Sequence, residues 1–375
     1  MASYGELLPV EPLEQVVPAS VPGEHVLDFT LPAELEASEP AEARGLTRDD
    51  VRLLVSYRAD QRIVHSQFRQ LADVLEPGDL LVINTSGTMN AALPAMREDG
   101  TQLELHLSTH LPADLWVVEL RQQAEKTTQP YYSARAGEIL RLPDGAEVSL
   151  VAPYQEDRFH APKGPPRLWL AMLNLPCAVM AYLQQYGFPI RYGYVKERWP
   201  LSYYQTVYAT EQGSAEMPSA GRAFTADLIT RLVAKGILIA PLLLHTGVAS
   251  LEEHEAPYAE FYRVPLATAR LVNTTRAVGK RVIAVGTTVV RALETVTDEQ
   301  ATTHPGEGWT QMIVTPQRGI HAVDGLLTGW HEPRSTHLMM LEALAGLEHL
   351  KLAYTAALRA GYLWHEFGDM HLILP

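Results

Sequence analysis

The stretch Arg281–Glu294, RVIAVGTTVVRALE, decides the fold of the C-terminal half. Its first residues are apolar and β-branched, which is typical of a buried strand. Gly286 then permits a tight turn, after which the two threonines can cap a helix and leave backbone N–H groups free for an anion. Ligands of α/β proteins collect at such strand ends. A Gly-Thr turn that binds nothing fits the pattern equally well. The substrate-binding candidates here are Thr287, Thr288, Arg291 and Glu294.

Strand and helix patterns alternate on both sides of this stretch. The apolar runs Leu80–Asn84, Ile237–Leu244 and Met312–Thr315 indicate strands, whereas Leu228–Ala234 and Ala267–Val278 have helical spacing. Alternation of this kind favours helices that cover both faces of a sheet. We therefore predict the α/β class, with a covered and mainly parallel sheet.

A different pattern begins near residue 88. In Gln102–Ser108 leucines alternate with polar residues, and Asp144-Gly145 lies between two short apolar runs, which indicates a hairpin. Several short strands with turns between them favour a small all-β barrel. We predict a flexible N-terminal arm at residues 1–24, an α/β domain from residues 25–87 plus 166–375, and an inserted β-barrel-like domain at residues 88–165.

Composition limits the class of protein. Hydrophobic residues make up 47% of the 375 residues, enough for large cores, and no apolar run is long enough to cross a bilayer. A single cysteine, Cys177, excludes an internal disulfide and a cysteine-based zinc site. The formal net charge of −14 disfavours a nucleic-acid partner, although a local basic patch could still bind one. We expect a cytoplasmic protein that is not bound to a membrane.

Three more segments carry chemically useful side chains. DGLLTGWHEPRST at Asp324–Thr336 combines a histidine, an acid, an arginine and hydroxyls beside a helix start. His331 and His337 within and after it are six residues apart, which does not match helical zinc spacing, so we predict no metal site. LHTG at Leu244–Gly247 ends a strand, and YLWHEFGDM at Tyr362–Met370 fits either a stacking surface or a core segment. The residues alone predict an enzyme-like α/β protein with a polar site built from residues 245–335.

The same segments resemble a known family, the S-adenosylmethionine:tRNA ribosyltransferase-isomerases of queuosine biosynthesis. The resemblance extends from about residue 25 to residue 374, with matching order and spacing. The matching stretches are DFTLP (Asp28–Pro32), RLLV (Arg52–Val55), PGDLLVIN (Pro77–Asn84), YQTVYA (Tyr204–Ala209), PSAGRAFT (Pro218–Thr225), LHTG (Leu244–Gly247), EFYRV (Glu260–Val264), RVIAVGTTVVRALE (Arg281–Glu294), HEPRST (His331–Thr336) and FGDMHLIL (Phe367–Leu374).

The resemblance implies a transferase and isomerase that uses S-adenosylmethionine as co-substrate and tRNA as partner. Such a reaction moves the ribosyl group onto an aminomethyl-deazaguanine base, and needs bases rather than a metal because the sulfonium activates the adjacent carbon. Among the matched residues, the candidates for acid or base catalysis are His245, Glu260, His331 and Asp369. The candidates for substrate binding are Gln205, Gly247, Thr287, Thr288, Arg291, Glu294, Arg334 and Ser335. We expect His245, Thr287, Thr288, Arg291, His331 and Arg334 to line one cavity.

Some positions depart from the family pattern. The family's Asn-Asp-Thr-Arg turn has Thr85 and Gly87 at its acidic and basic positions, and Ala92 and Ala223 replace an arginine and a histidine. We therefore expect weak tRNA ribosyl transfer and surviving adenosyl-ligand binding, unless the neighbouring Arg222 or His254 substitutes for the lost groups. A paralogue that acts on a small molecule and a non-catalytic adenosyl-ligand-binding protein are the alternatives.

Overall fold

The computed structural model describes residues 27–124, 127–154, 165–248 and 258–375, so the predicted arm at residues 1–24 and His254 lie outside the described residues. The strands are β1 (Arg52–Tyr57), β2 (Arg62–Gln67), β3 (Leu80–Asn84), β4 (Ser86–Thr88), β5 (Ala92–Met96), β6 (Gln102–Leu111), β7 (Leu115–Gln123), β8 (Thr128–Pro130), β9 (Ile139–Arg141), β10 (Glu147–Pro153), β11 (Leu168–Asn174), β12 (Glu211–Ser214), β13 (Leu238–Leu244), β14 (Glu260–Val264), β15 (Val282–Val285), β16 (Gly306–Thr310), β17 (Gly325–Gly329) and β18 (Met370–Leu374). The helices are α1 (Leu71–Val74), α2 (Val179–Tyr186), α3 (Ala226–Ala234), α4 (Leu266–Ala277), α5 (Thr287–Thr295), α6 (Thr336–Ala345) and α7 (Leu347–Arg359).

Nine strands form the large sheet, in the order β16-β14-β13-β3-β15-β17-β18-β1-β2. The predicted α/β class is confirmed. The sheet is more evenly mixed than the pattern predicted, because four pairings are parallel and four are antiparallel. The central strands β13, β3, β15 and β17 are parallel to one another, and this places their carboxyl ends at one edge.

Both faces of the large sheet are covered, which explains why β3 and β15 are buried along their whole length. One core contains Val272 of α4, Val290 of α5 and Leu341 of α6 against one face. A second core contains Leu71 of α1 and Leu228 of α3 against the other face. None of the helices in the described ranges is long and apolar enough to span a bilayer.

The inserted unit is a closed antiparallel barrel of β5, β6, β7, β11, β10 and β9, with β8 added beside β7. The predicted strand at residues 102–108 is β6, and the Asp144-Gly145 turn joins the paired strands β9 and β10. The last barrel strand, β11, lies beyond the predicted division at residues 165 and 166. It pairs with β10 on one side and β7 on the other, so it closes the barrel and removes the open edges.

The strand predicted at Met312–Thr315 is wrong, because these residues join no sheet. Val314 is buried in the core of the α/β domain. The backbone carbonyl of Met312 accepts a hydrogen bond from Arg291 Nε at 3.1 Å. Residues 312–315 are largely apolar because they pack against the core near α5. A buried segment without regular structure has the same apolar pattern as a short buried strand.

Candidate active site

A cavity of about 550 Å³ lies at the carboxyl-end edge of the large sheet. Three of its walls are the segments that follow central strands: residues 246–248 after β13, residues 285–288 at the end of β15, and residues 328–337 from the end of β17. This edge is where open α/β sheets bind ligands, because the loops there vary while the strands hold them in place. The volume is in the range of small-molecule sites.

The turn after β15 has the form that its sequence predicts. Gly286 has a φ of +99°, which an L side chain rarely adopts, and a Cβ there would lie 3.2 Å from the Cβ of Ala220. Helix α5 begins directly at Thr287, and both Thr287 and Thr288 line the cavity. Thr288 Oγ1 accepts a hydrogen bond of 3.3 Å from Asn84 Nδ2.

Arg291 and Glu260 form an ion pair in the wall of the cavity. Arg291 on α5 donates through Nη1 to Glu260 Oε2, while Glu260 Oε1 accepts a 3.0 Å hydrogen bond from the backbone N–H of Gly247. The Nη2 of Arg291 is buried and has no hydrogen-bond partner among the described residues. Buried donors are rarely left unpaired, so this nitrogen is available to a ligand.

Two histidines share the wall formed after β17. His331 Nε2 hydrogen bonds with Thr328 Oγ1 at 2.8 Å, and its ring lies 4.6 Å from that of His337. Burial lowers the pKa of His331 well below its ordinary value, with a smaller contribution from the charges of neighbouring histidines. Burial and then the charge of Arg291 lower the pKa of His337 to about 4. Both rings are therefore neutral at pH 7, and burial disfavours their protonation.

Arg334 and Ser335 lie at the start of α6. Arg334 has a φ of +59°, lines the cavity and has a side chain that is 56% exposed, with Asp28 Oδ1 3.8 Å from its Nε. Ser335 occupies the N-cap position of α6 but makes no capping hydrogen bond. Its Oγ is buried and lacks a partner in the part of the chain that the structure describes. A cap hydroxyl turned away from its helix is free to bind a ligand.

Sequence reasoning missed the acidic and aromatic side of the cavity. The rings of Tyr192, Tyr194 and His365 are stacked, with centroids 5.7 and 4.0 Å apart. The Tyr192 hydroxyl hydrogen bonds with Glu216, and its pKa is raised far above normal by burial and by the charges of Glu216 and Glu366. The first two tyrosines lie in a segment with no periodic pattern. The aromatic residues of Tyr362–Met370 did predict a stacking surface as one of two alternatives.

Four of the predicted site residues do not line the cavity. Glu294 shares helix α5 with Arg291, but its carboxylate is fully buried and accepts 2.7 Å hydrogen bonds from the backbone of His321 and Ala322 as well as an ion pair from Arg318. Glu294, predicted to bind substrate, therefore does not line this cavity. Its oxygens instead hold the segment that leads into β17.

Asp369 and Gln205 also have structural partners. Asp369 accepts hydrogen bonds from the backbone N–H and guanidinium of Arg52, at 2.7 to 3.0 Å, and from the backbone N–H of Leu363 at 2.8 Å. Gln205 binds both backbone groups of Thr88, at 3.0 and 2.8 Å, in the manner of a neighbouring strand. Neither side chain faces the cavity, and the residues near Asp369 that do so are His365 and Glu366.

His245 points away from the cavity, although the next residues, Thr246 and Gly247, line it. Its Nδ1 hydrogen bonds with Ser86 Oγ at 2.7 Å, and a Cβ on Gly213 would lie 2.4 Å from the ring. Burial lowers its pKa, while Glu211 raises it by a smaller amount. Of the six residues expected to share one cavity, the other five do so: Thr287, Thr288, Arg291, His331 and Arg334.

Three of the four positions that depart from the resemblance, Gly87, Ala92 and Ala223, are buried. Ala92 is fully buried in the barrel core, and Ala223 is buried beside α3. A Cβ on Gly87 would lie within 3.5 Å of Gln212, Gln205 and Ala209. Arg222 does not reach the cavity, because its guanidinium binds Glu42 at 2.6 Å and the carbonyl of Tyr203 at 2.9 Å. Across the described residues, no group of three or more His, Cys, Asp or Glu side chains is arranged to hold a metal ion.

The fold is that of an α/β protein with an inserted β-barrel and a polar cavity at the edge of its large sheet. A family model described as queuosine biosynthesis protein matches residues 25–373. The S-adenosylmethionine:tRNA ribosyltransferase-isomerases of Symbiobacterium thermophilum and Thermotoga maritima are 39% and 37% identical, each over 92% of this chain and 98% of the relative. A crystal structure of S-adenosylmethionine tRNA ribosyltransferase from Thermotoga maritima aligns with 30% identity and a TM-score of 0.50, over 93% of this chain and 99% of that one. The chain belongs to the queuosine biosynthesis protein family.

Proposed function

We propose that this protein is a cytoplasmic S-adenosylmethionine:tRNA ribosyltransferase-isomerase. It would transfer and isomerise the ribosyl moiety of S-adenosylmethionine onto an aminomethyl-deazaguanine base in tRNA, with release of adenine and methionine. Relatives with this name extend over 92% of the chain. The observation that carries the proposal is the cavity at the edge of the sheet where the matching motifs lie. Its walls contain buried polar atoms that have no hydrogen-bond partner in the described part of the chain: Arg291 Nη2, Ser335 Oγ and Glu366 Oε2.

The charges of the cavity suit S-adenosylmethionine. Glu216 and Glu366 lie on the side formed with Tyr192, where negative charge favours a sulfonium or ammonium group. Arg291 on helix α5 offers a donor for a carboxylate or a ring nitrogen. The neutral rings of His331 and His337 add hydrogen-bonding groups that do not repel the cation.

We make a separate prediction for the rate of the reaction. Thr85, Gly87, Ala92 and Ala223 replace ionisable groups, and the loss of a positioned acid or base lowers a rate by roughly 10²–10⁴-fold. We therefore expect weak tRNA ribosyl transfer with retained ligand binding. The second candidate, a paralogue acting on a small molecule, is favoured by the closed packing at Ala92 and Ala223 and by the net charge of −14.

The test supplies S-adenosylmethionine and an anticodon stem-loop RNA that bears the aminomethyl-deazaguanine base, and follows adenine release by chromatography. Adenine release that depends on this RNA supports the proposal, and its rate decides whether the activity is weak. Release that is identical with unmodified RNA would favour the small-molecule paralogue. Binding of S-adenosylmethionine without any adenine release would identify a non-catalytic protein.

A further inference from the structure

The proposed reaction requires a base that removes a proton from the carbon beside the sulfonium. The four residues predicted to act as acid or base are poorly placed for this step. His245 and Asp369 lie outside the cavity lining. Both oxygens of Glu260 are engaged, one by Arg291 and one by the N–H of Gly247. His331 lines the cavity, but its Nε2 is hydrogen bonded to Thr328.

Glu366 differs from these residues in its surroundings. It lines the cavity, and its Oε2 is buried without a hydrogen-bond partner within the described ranges. A buried carboxylate oxygen without a donor is costly, so its position calls for a proton or a ligand group. The residues on either side of Glu366 are held by the stack of His365 on Tyr194 and by the buried ring of Phe367.

We propose that Glu366 is the catalytic base of this cavity, an inference that rests on the proposed function. Its carboxylate takes a proton from the carbon that joins the sulfonium to the ribose ring. The C–H bond breaks, an O–H bond forms on Glu366, and the electron pair stays on the carbon, where the adjacent sulfonium stabilises it. The step consumes no oxidant or reductant.

The electrostatics of the cavity support this role. Burial raises the pKa of Glu366 to about 7, so its carboxylate is a stronger base than that of an ordinary glutamate and forms near neutral pH. The other titratable and charged groups that line the cavity are Tyr192, Tyr194, Glu216, Tyr258, Glu260, Arg291, His331, Glu332, Arg334, His337 and His365. Burial lowers the pKa of His365 to about 4, so that ring is neutral near pH 7. The reactive form is the carboxylate, so the rate rises with pH through about 7 and then levels off.

The experiment compares the wild type with Glu366→Gln and Glu366→Asp. Adenine release is measured from pH 5.5 to 8.5, and incorporation of deuterium from D₂O into the carbon beside the sulfonium is followed by NMR. Glutamine preserves the shape of the side chain but cannot take the proton, so both readouts should fall by roughly 10²–10⁴-fold. Aspartate retains a carboxylate and should restore part of the activity. Glu342→Gln, on α6 and outside the cavity lining, is the matched control and should behave as the wild type.

The outcomes separate this inference from the proposed function. If Glu366→Gln releases adenine at the wild-type rate, and that rate rises near pH 7 as in the wild type, Glu366 is not the base. The proposed function would then stand. A wild type that releases no adenine would contradict the proposed function. In that case the deuterium exchange tests Glu366 separately. Exchange in the wild type that is lost in Glu366→Gln supports Glu366 as the base, whereas no exchange in the wild type overturns that role. Calorimetry with S-adenosylmethionine verifies that the variants still bind.

Discussion

The cavity and the turn at residues 84–88 lie at the same edge of the large sheet, but their polar groups are used differently. In the turn, Asn84 binds the backbone of Leu244 through both its amide nitrogen and its amide oxygen, at 2.8 and 3.0 Å. Ser86 Oγ is within 2.7 Å of both Ser214 Oγ and His245 Nδ1. In the cavity, by contrast, Arg291 Nη2 and Glu366 Oε2 are buried with no protein partner among the described residues.

This difference separates architecture from candidate function. A fully satisfied network makes one conformation unique, whereas buried polar atoms without partners are retained where something else completes them. Asp369 and Glu294 belong with the satisfied group, since every carboxylate oxygen accepts a hydrogen bond. Among the residues predicted from the sequence, hydrogen-bond satisfaction therefore distinguishes Arg291 and Ser335, which line the cavity, from Asp369 and Glu294, which do not.

The largest expected effect is on the stability of the protein, at Asp369. Asp369→Ala removes the acceptor for Arg52 and for the backbone N–H of Leu363, and we expect the free energy of unfolding to fall by about 3 kcal/mol. Affinity for S-adenosylmethionine should change less than about twofold, because the residue does not line the cavity. Urea unfolding and calorimetry measure the two quantities. A loss of affinity for S-adenosylmethionine with an unchanged free energy of unfolding would show instead that Asp369 acts in ligand binding.

The next effect is on ligand affinity, at Arg291. Arg291→Ala should weaken S-adenosylmethionine binding by about 10- to 100-fold, the usual worth of a charged hydrogen bond. The matched control is Arg281→Ala, which breaks a similar pair with Asp79 at the opposite ends of the same strands. We expect the control to lower the melting temperature and to leave calorimetric affinity unchanged. Equal losses of affinity in both variants would show that Arg291 acts only through folding.

The third effect concerns the pH dependence of stability, at His371 in β18. Burial lowers the pKa of His371 to about 3, so the folded protein keeps it neutral while the unfolded chain protonates it below its ordinary value of 6.5. Its contribution to stability is complete above pH 6.5 and is lost as the pH falls toward 3. Between pH 7 and 5 the wild type should lose about 2 kcal/mol more unfolding free energy than His371→Gln. Denaturant titrations at both pH values measure this, and parallel losses in the two proteins would contradict it.

Local sequence determined the elements of this protein. Gly286 between an apolar strand and a helix predicted the turn at the cavity, and the alternation in β6 together with the Asp144-Gly145 turn predicted the β-unit. These patterns are local because backbone geometry repeats every 2 or 3.6 residues, so a short window contains the information. The division at residue 165 was placed too early, since β11 is defined by its pairing with the distant strand β7.

Only the tertiary structure decided which polar groups face the cavity. Arg291 and Glu294 are three residues apart on one helix. Arg291 lines the cavity, whereas Glu294 is buried and accepts a hydrogen bond from the backbone of Ala322. His245 turns toward Ser86 while its neighbour Thr246 lines the cavity. Asp369 is bound by Arg52, while Glu366 Oε2 is buried with no hydrogen-bond partner among the described residues. The direction and satisfaction of each side chain depend on groups up to hundreds of residues away. No local pattern contains that information, because it arises when the strands and loops meet at the edge of the sheet.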